Sequence, residues 1–297
     1  MSVLVTGGAG YIGSHMVLDL LHAGEDVVVL DNLSTGFRWA VPQPATLVAG
    51  DIGDQDLVST LIRRHQVGAI IHFAGSVVVP ESVAQPLAYY LNNTVKSRAL
   101  IETALDDGVR HFIFSSTAAV YGNPKAVPVA EAAELAPMSP YGSSKLMTEI
   151  MLRDASAAHG LKAVALRYFN VAGADPQGRT GQSTPRATHL VKVACETALG
   201  KRSHMEVFGT DYPTPDGTCI RDYIHVSDLA AAHSAALGYL RSGGATDIFN
   251  CGYSRGYSVL EVIEAVRRVS GKTFEVRMSP RRPGDPAAAV ARTVHPR

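Results

Sequence analysis

Short apolar runs alternate with amphipathic stretches through the first 170 residues. Residues 2–6, 26–30, 46–49, 69–73, 111–115 and 162–168 read as strands. They are apolar at consecutive positions, the pattern of strands covered on both faces. Helical spacing predicts helices over 11–23, where Ile12, Met16, Leu20 and Leu21 share a face, and over 57–64, 86–107 and 141–159. Gly24 stops the first helix. Strand and helix in alternation predict an α/β fold with a parallel sheet between two helical layers. Right-handed crossovers make that sheet doubly wound.

After about residue 170 the rhythm breaks. Residues 174–185, rich in Gly, Pro, Gln and Thr, predict a loop. Shorter elements follow: a helix near 188–199, strands near 206–208 and 223–226, and helices near 227–240 and 258–269. The expected organisation is a main domain over 1–170 and a smaller α/β lobe over 171–297, with about 221–245 returning to the main domain. Residues 278–297, rich in Pro, Arg and Ala, predict little order.

Composition narrows the classes. Of 297 residues, 46% are hydrophobic, enough for a large core and too many for a disordered chain. Lys plus Arg and Asp plus Glu are both 27, and this zero net charge argues against a nucleic-acid partner. No apolar run is long enough to cross a membrane, and the first residues show no basic region or cleavage site. Cys195, Cys219 and Cys251 form neither a CxxC pair nor a zinc spacing, so no metal and no disulfide are expected, and the cytoplasm is the expected compartment.

The first chemical signal is Gly7-Gly8-Ala9-Gly10-Tyr11-Ile12-Gly13, at the turn between the first strand and helix. Gly7 permits the turn, Gly10 lets backbone N–H groups approach a pyrophosphate, and Gly13 allows close helix packing. The helix N-terminus favours the negative charge. Asp31, eighteen residues past Gly13, ends the second strand, where a carboxylate binds an adenosine ribose and repels a 2′-phosphate. Asn32 follows rather than an arginine, so NAD is expected over NADP in a Rossmann-type domain.

The second signal is Ser139-Pro140-Tyr141-Gly142-Ser143-Ser144-Lys145. Ser139 can cap a helix and Pro140 suits its first turn. Tyr141 and Lys145 then share a helical face. A free phenol has a pKa of about 10. An ammonium and a cationic nicotinamide beside Tyr141 are expected to lower it toward working pH.

The glycine loop, Asp31-Asn32, Asp51-Ile52, Phe73-Ala74-Gly75, Ser115-Ser116-Thr117 and Tyr141-x-x-x-Lys145 together resemble the extended short-chain dehydrogenase/reductase family. Asn92-Asn93, Val120-Tyr121-Gly122, Leu166-Arg167-Tyr168-Phe169-Asn170 and Arg221-Asp222-Tyr223-Ile224-His225-Val226 are similar to its UDP-sugar 4-epimerase branch. The resemblance covers residues 1 to about 286.

It implies a tightly held NAD and the interconversion of UDP-glucose and UDP-galactose through a transient 4-keto sugar. Tyr141 would take the 4-hydroxyl proton, Lys145 would bind the nicotinamide ribose, and Thr117 would hydrogen-bond the reacting oxygen. Gly7, Gly10, Tyr11, Ile12 and Gly13 would meet the pyrophosphate, Asp31 and Asn32 the adenosine end, and Asp51 and Ile52 the adenine. Phe73, Ala74, Gly75, Asn92, Ser115, Tyr168 and Phe169 would line the rest of the cofactor. Asn170, His189, Leu190, Val207, Phe208, Arg221, Tyr223, Arg282 and Asp285 would hold the UDP-hexose, although Val207 and Phe208 equally suit a core and His189 a helix cap. A homodimer through the helices at 86–107 and 141–159 is also implied.

Departures from the family pattern carry information. Dehydratases of the family place an Asp-Glu pair where this chain has Ala118-Ala119, which weighs against dehydration. Val77 stands where some relatives have a lysine. The last residues do not resemble the longer family tail. Ala289 falls where a bulky aromatic restricts the sugar pocket of some relatives, so N-acetylated sugars are expected to fit. Two other readings stay open: another NAD-dependent sugar-nucleotide epimerase or decarboxylase, and a non-catalytic NAD- and UDP-sugar-binding protein.

Overall fold

The computed structural model describes residues 1–184, 187–282 and 285–293. In chain order the strands and helices are β1 (Ser2–Thr6), α1 (Tyr11–His22), β2 (Val27–Asp31), β3 (Thr46–Ala49), α2 (Gln55–His65), β4 (Val67–His72), α3 (Val79–Ala84), α4 (Pro86–Tyr89), α5 (Lys96–Asp106), β5 (His111–Ser115) and α6 (Pro140–His159). There follow β6 (Lys162–Tyr168), β7 (Asn170–Ala172), α7 (Leu190–Ala198), β8 (His204–Phe208), β9 (Ile220–His225), α8 (Val226–Arg241), β10 (Asp247–Cys251), β11 (Gly256–Ser258), α9 (Val259–Ser270), β12 (Glu275–Ser279) and β13 (Ala288–Ala289).

Seven parallel strands make the central sheet, in the order β10-β6-β5-β4-β1-β2-β3. Successive side chains of each strand enter opposite cores. Val3, Val5, Ile71, Ile113 and Val164 pack with α1 and α8, whereas Leu4, Ile70, Phe112, Phe114 and Ala165 pack with α2, α5 and α6. Both faces are covered, which is why the strands are apolar at consecutive positions. Strand order reverses between β1 and β4. The carboxyl ends of those strands are where a doubly wound sheet opens its binding crevice.

A four-stranded sheet of β7, β9, β11 and β13 and a two-stranded sheet of β8 and β12 build a smaller lobe. Helices α7 and α9 pack over the latter through Ala194, Met205, Val207 and Ile263. Helix α9 starts at a capping box of Ser258 and Glu261 and ends at Gly271 in the left-handed region, φ 64°.

Four expectations are corrected. The segment that returns to the main sheet is α8 and β10, residues 226–251, rather than 221–245, because β9 belongs to the small sheet. Strand β10 was not anticipated: it lies at the sheet edge, and Asp247 and Asn250 break the apolar run that an interior strand would show. The helix expected over 86–107 is interrupted by a π-helical turn at Tyr90–Val95, and α3 precedes it. Finally, residues 278–282 and 285–293 are not loose. Strand β12 runs to Ser279, β13 pairs with β9, and Val290 and Ala291 are buried. The buried Asp222 carboxylate fixes this segment by accepting the Ala291, Tyr253 and Ser254 N–H groups. The remaining residues of the expected loose tail, 283–284 and 294–297, lie outside the described residues.

Candidate active site

The glycine loop joins β1 to α1. Gly7 has φ 72°, and a Cβ there would lie 2.6 Å from the Ala74 nitrogen. At Gly13 a Cβ would meet the Gly7 carbonyl oxygen at 2.2 Å, so neither position accepts a side chain. Gly10 is the N-cap residue of α1, and no side chain caps that helix. Its free N–H groups and dipole therefore suit an anion. Tyr11 donates its hydroxyl to the Gly173 carbonyl at 2.7 Å, and Ile12 packs against the core.

Asp31 is buried at the end of β2. It accepts the Ala9 N–H at 2.9 Å and the Leu33 N–H at 2.8 Å, while Asn32 beside it is exposed. Asp51 pairs with Lys96 at 2.5 Å, and Ile52 is buried next to it. Phe73 and Ala74 both donate backbone N–H groups to the Thr6 carbonyl, which places Gly75 at the crevice. A Cβ on Gly75 would lie 3.7 Å from Lys145 Nζ.

The π turn explains the two adjacent asparagines. Its extra residue per turn directs Asn93 inward, where Oδ1 accepts the Ser76 N–H at 2.8 Å and Nδ2 donates to the Ser76 carbonyl and to Ser144. Asn92 donates to Ser76 Oγ at 3.0 Å. Together they lock the segment after β4 onto α6. Sequence reasoning assigned only Asn92 to the cofactor; the buried Asn93 is the stronger structural tie.

Helix α6 begins as expected, with Ser139 Oγ accepting the Gly142 N–H and Pro140 in the first turn. Tyr141 and Lys145 are 7% and 3% exposed, so both polar tips work in a dry environment. Lys145 Nζ donates to the Ser115 carbonyl at 3.0 Å and lies 4.8 Å from the Phe114 ring centre. Burial pulls its pKa down to about 8, against the opposing charge of Glu149. Burial pushes the Tyr141 phenol up, with the Thr117 hydroxyl acting the other way. Within the protein alone the phenol is thus harder to ionise; the expected lowering was for a site that also holds a cationic nicotinamide. Thr117 is buried and caps the short turn at Ala118–Tyr121 by accepting the Ala119 N–H. Ser115 Oγ hydrogen-bonds the Tyr168 hydroxyl at 2.9 Å, and Phe169 packs on the cluster around Val120 and Tyr121.

Two residues beyond Tyr168 the chain enters the small lobe at Asn170, which pairs with Tyr223. There Arg282 lies 4.6 Å from the Phe208 ring centre and donates to Asp285 at 3.1 Å. Arg221 reaches the same carboxylate at 3.7 Å, and β13 sets Ala289 opposite Arg221. Burial pushes Tyr223 up to about 12. Five sequence-assigned residues (Phe208, Arg221, Tyr223, Arg282 and Asp285) thus converge on β9 and its neighbours. His189 sits at the N-cap of α7 without capping it through its side chain, and its ring is 6.2 Å from that of Tyr11. Leu190 packs toward the α7–α9 core. Val207 is fully buried in that core, so its side chain is a packing group and only its backbone is left for a ligand. Among the described residues no group of His, Cys, Asp and Glu could hold a metal ion.

A buried network behind this site went unread in the sequence. Arg167 and Glu149 form a two-point ion pair, joined by Ser116, Tyr121 and Asn250. Two signals were available: an arginine inside the apolar run of β6, and a glutamate four residues past Lys145 on the same face.

A doubly wound sheet with an uncapped glycine turn at its switch point, a strand-end carboxylate and a buried Tyr–Lys helix defines a dinucleotide-dependent enzyme class. Residues 3–252 match the model of the NAD dependent epimerase/dehydratase family, and the chain belongs to that family. A UDP-glucose 4-epimerase of Azospirillum brasilense is 60% identical over 97% of this chain and 83% of its own length. The UDP-glucose 4-epimerase of Brucella ovis, solved in complex with NAD, superposes with a TM-score of 0.95 at 44% identity, over 98% of this chain and 90% of its own. The UDP-Glc/GlcNAc 4-epimerase of Campylobacter jejuni gives a TM-score of 0.85 at 50% identity, over 98% and 90%.

Proposed function

We propose that this protein is an NAD-dependent isomerase that interconverts UDP-glucose and UDP-galactose. The observation that carries the reading is the buried Tyr141–Lys145 pair at the switch point, together with an arginine-lined lobe that the chain enters at Asn170, two residues past Tyr168. Its relatives at 45–60% identity over nearly the whole chain are UDP-glucose 4-epimerases.

The residues present fit NAD. Gly7 and Gly13 let the turn and helix pack against the backbone of Ala74 and Gly7 where a side chain would clash, α1 offers uncapped N–H groups beside Gly10, and Asp31 disfavours a 2′-phosphate. Asn32, Asp51 and Ile52 would flank the adenosine end; Phe73, Ala74, Gly75, Asn92, Ser115, Tyr168 and Phe169 would line the remainder. When bound, NAD supplies a reversible hydride acceptor for sugar C4.

Tyr141 then exchanges the proton of the 4-hydroxyl, as a base in one half-reaction and an acid in the other. Lys145 holds the nicotinamide ribose and keeps positive charge near the phenol. Thr117 orients the reacting oxygen. Arg221 and Arg282 bind the diphosphate as charged forks of donors, with Asp285 positioning both and Phe208 beneath one of them. Asn170, His189, Leu190, Tyr223 and the Val207 backbone complete the nucleotide-sugar side. Anchoring by UDP would leave the oxidised sugar free to turn over in the pocket and present its other face. No second acid is needed, in keeping with Ala118 and Ala119 beside Thr117.

The small Ala289 beside Arg221 leaves space for an N-acetyl group, which supports UDP-N-acetylhexosamines as further substrates. The helical face with exposed Val83, Leu87, Leu91, Met147 and Ile150 is the surface for a homodimer. The three free thiols suit the reducing cytoplasm. Among the described residues no helix is long and apolar enough to cross a membrane.

The test is a coupled assay with UDP-galactose, following UDP-glucose without added NAD. Turnover that disappears in Tyr141→Phe supports the reading. Binding of UDP-galactose without turnover would favour a non-catalytic homologue.

A further inference from the structure

We infer that Glu149, paired with Arg167, is a positioning residue for the catalytic set; the inference rests on the epimerase reading above. Tyr141, Lys145 and Glu149 recur at intervals of four along one face of α6. Both Glu149 oxygens are occupied. Oε1 accepts from Arg167 Nε at 2.9 Å and from Ser116 Oγ at 2.5 Å, and Oε2 accepts from Arg167 NH2 at 2.6 Å. The side chains of Arg167 and Glu149 are 2% and 3% exposed.

The contacts run directly into the reacting groups. Ser116 lies between Ser115, whose carbonyl holds Lys145, and Thr117, which faces Tyr141. Arg167 precedes Tyr168, which hydrogen-bonds Ser115. Arg167 NH1 also reaches the Tyr121 hydroxyl at 3.0 Å and the Glu131 carbonyl at 3.2 Å. The pair therefore clamps the carboxyl ends of β5 and β6 to α6, the three elements that carry Thr117, Tyr168 and the Tyr–Lys helix. A buried ion pair is seldom kept for stability alone, since apolar groups of similar volume often serve as well.

Glu149 also acts on Lys145 through its charge. Lys145 faces Glu149 and Tyr141 on its own helix, His72 on β4 and the Ser115 carbonyl on β5, where Tyr168 of β6 joins. His72 is held neutral in the working range by burial. Glu149 is thus the charge that favours the ammonium.

Three variants test this in the NAD-containing protein. Glu149→Leu with Arg167→Met removes the pair at similar volume, and Ser116→Ala removes only the link to the Thr117 segment. The double variant is expected to fold, to lose about tenfold or more in kcat for UDP-galactose with KM within twofold, and to shift the alkaline limb of kcat to lower pH. The Lys145 titration, followed by NMR of labelled lysine, should move the same way, and Glu149→Asp should restore it. Ser116→Ala should lower kcat without moving the titration. A folded double variant with unchanged kcat and unchanged Lys145 titration overturns the proposal. If the double variant does not fold, a Ser116→Ala kcat within twofold of the parent overturns it. If the parent itself does not turn over UDP-galactose, the epimerase reading fails, and the Lys145 titration still decides whether Glu149 positions that lysine.

Discussion

Asp31 Oδ2 accepts the Ala9 N–H at 2.9 Å, so the acid at the tip of β2 also holds the glycine turn after β1. In the proposed enzyme this one carboxylate would both shape the pyrophosphate cradle and select the ribose. Asp31→Asn keeps the size but weakens both functions. It should lower NAD retention, read by NAD released on denaturation, and reduce discrimination against NADP. An unchanged NAD content after dialysis would separate Asp31 from cofactor binding.

Gly13→Ala tests the cradle itself. The added Cβ meets the Gly7 carbonyl at 2.2 Å, so loop and helix must part. The variant should purify with little or no NAD and show no turnover until cofactor is added in excess. Full NAD occupancy would show that the turn can relax.

Tyr141→Phe removes the proton carrier and leaves the ring. A loss of roughly 10²–10⁴-fold in kcat is expected for a general acid–base group, with NAD still bound. Lys145→Met should lower both activity and NAD retention, because that ammonium serves the ribose as well.

Arg221→Met removes a donor fork without changing the core. Charged hydrogen bonds contribute about 1.5–3 kcal/mol, so KM for UDP-galactose should rise roughly ten- to a hundredfold, with kcat less affected. A fall in kcat alone would place Arg221 at the reacting sugar rather than at the diphosphate.

His72 makes stability sensitive to acid. It lies between Thr6 Oγ1 at 2.7 Å and Ser97 Oγ at 2.8 Å, and burial pulls its pKa from 6.5 to about 3. The folded state holds the ring neutral while the unfolded state protonates near 6.5. The contribution is therefore complete above pH 6.5 and is lost as pH falls from there toward 3, at about 1.4 kcal/mol per unit. Fully buried His233, pulled to about 4, adds to the same slope. Urea midpoints at pH 7, 6 and 5 should fall steadily, and His72→Asn should make the decline shallower. Equal slopes would exclude His72 as the source.

Much of this protein is written locally. Six strands of the main sheet, the glycine turn and the Ser139-capped helix with Tyr141 and Lys145 on one face follow from periodicity and spacing, because each depends on residues within a turn or two. Those features were enough to expect a doubly wound fold and a dinucleotide site. The tertiary structure decided what depends on distant partners. Strand β10 exists as a strand because β6, 83 residues earlier in the chain, offers its edge, with Asp247 beside Val164 and Cys251 beside Tyr168. Residues 288–291, poor in strand formers, are ordered because β9 and the buried Asp222 supply hydrogen-bond partners. Arg167, Glu149 and Ser116 become one network, and Arg221, Arg282 and Asp285 another, only when separate elements meet. Tyr141 illustrates the division most clearly. Its spacing from Lys145 is a property of the sequence, whereas the direction of its pKa is set by burial, which no local pattern encodes.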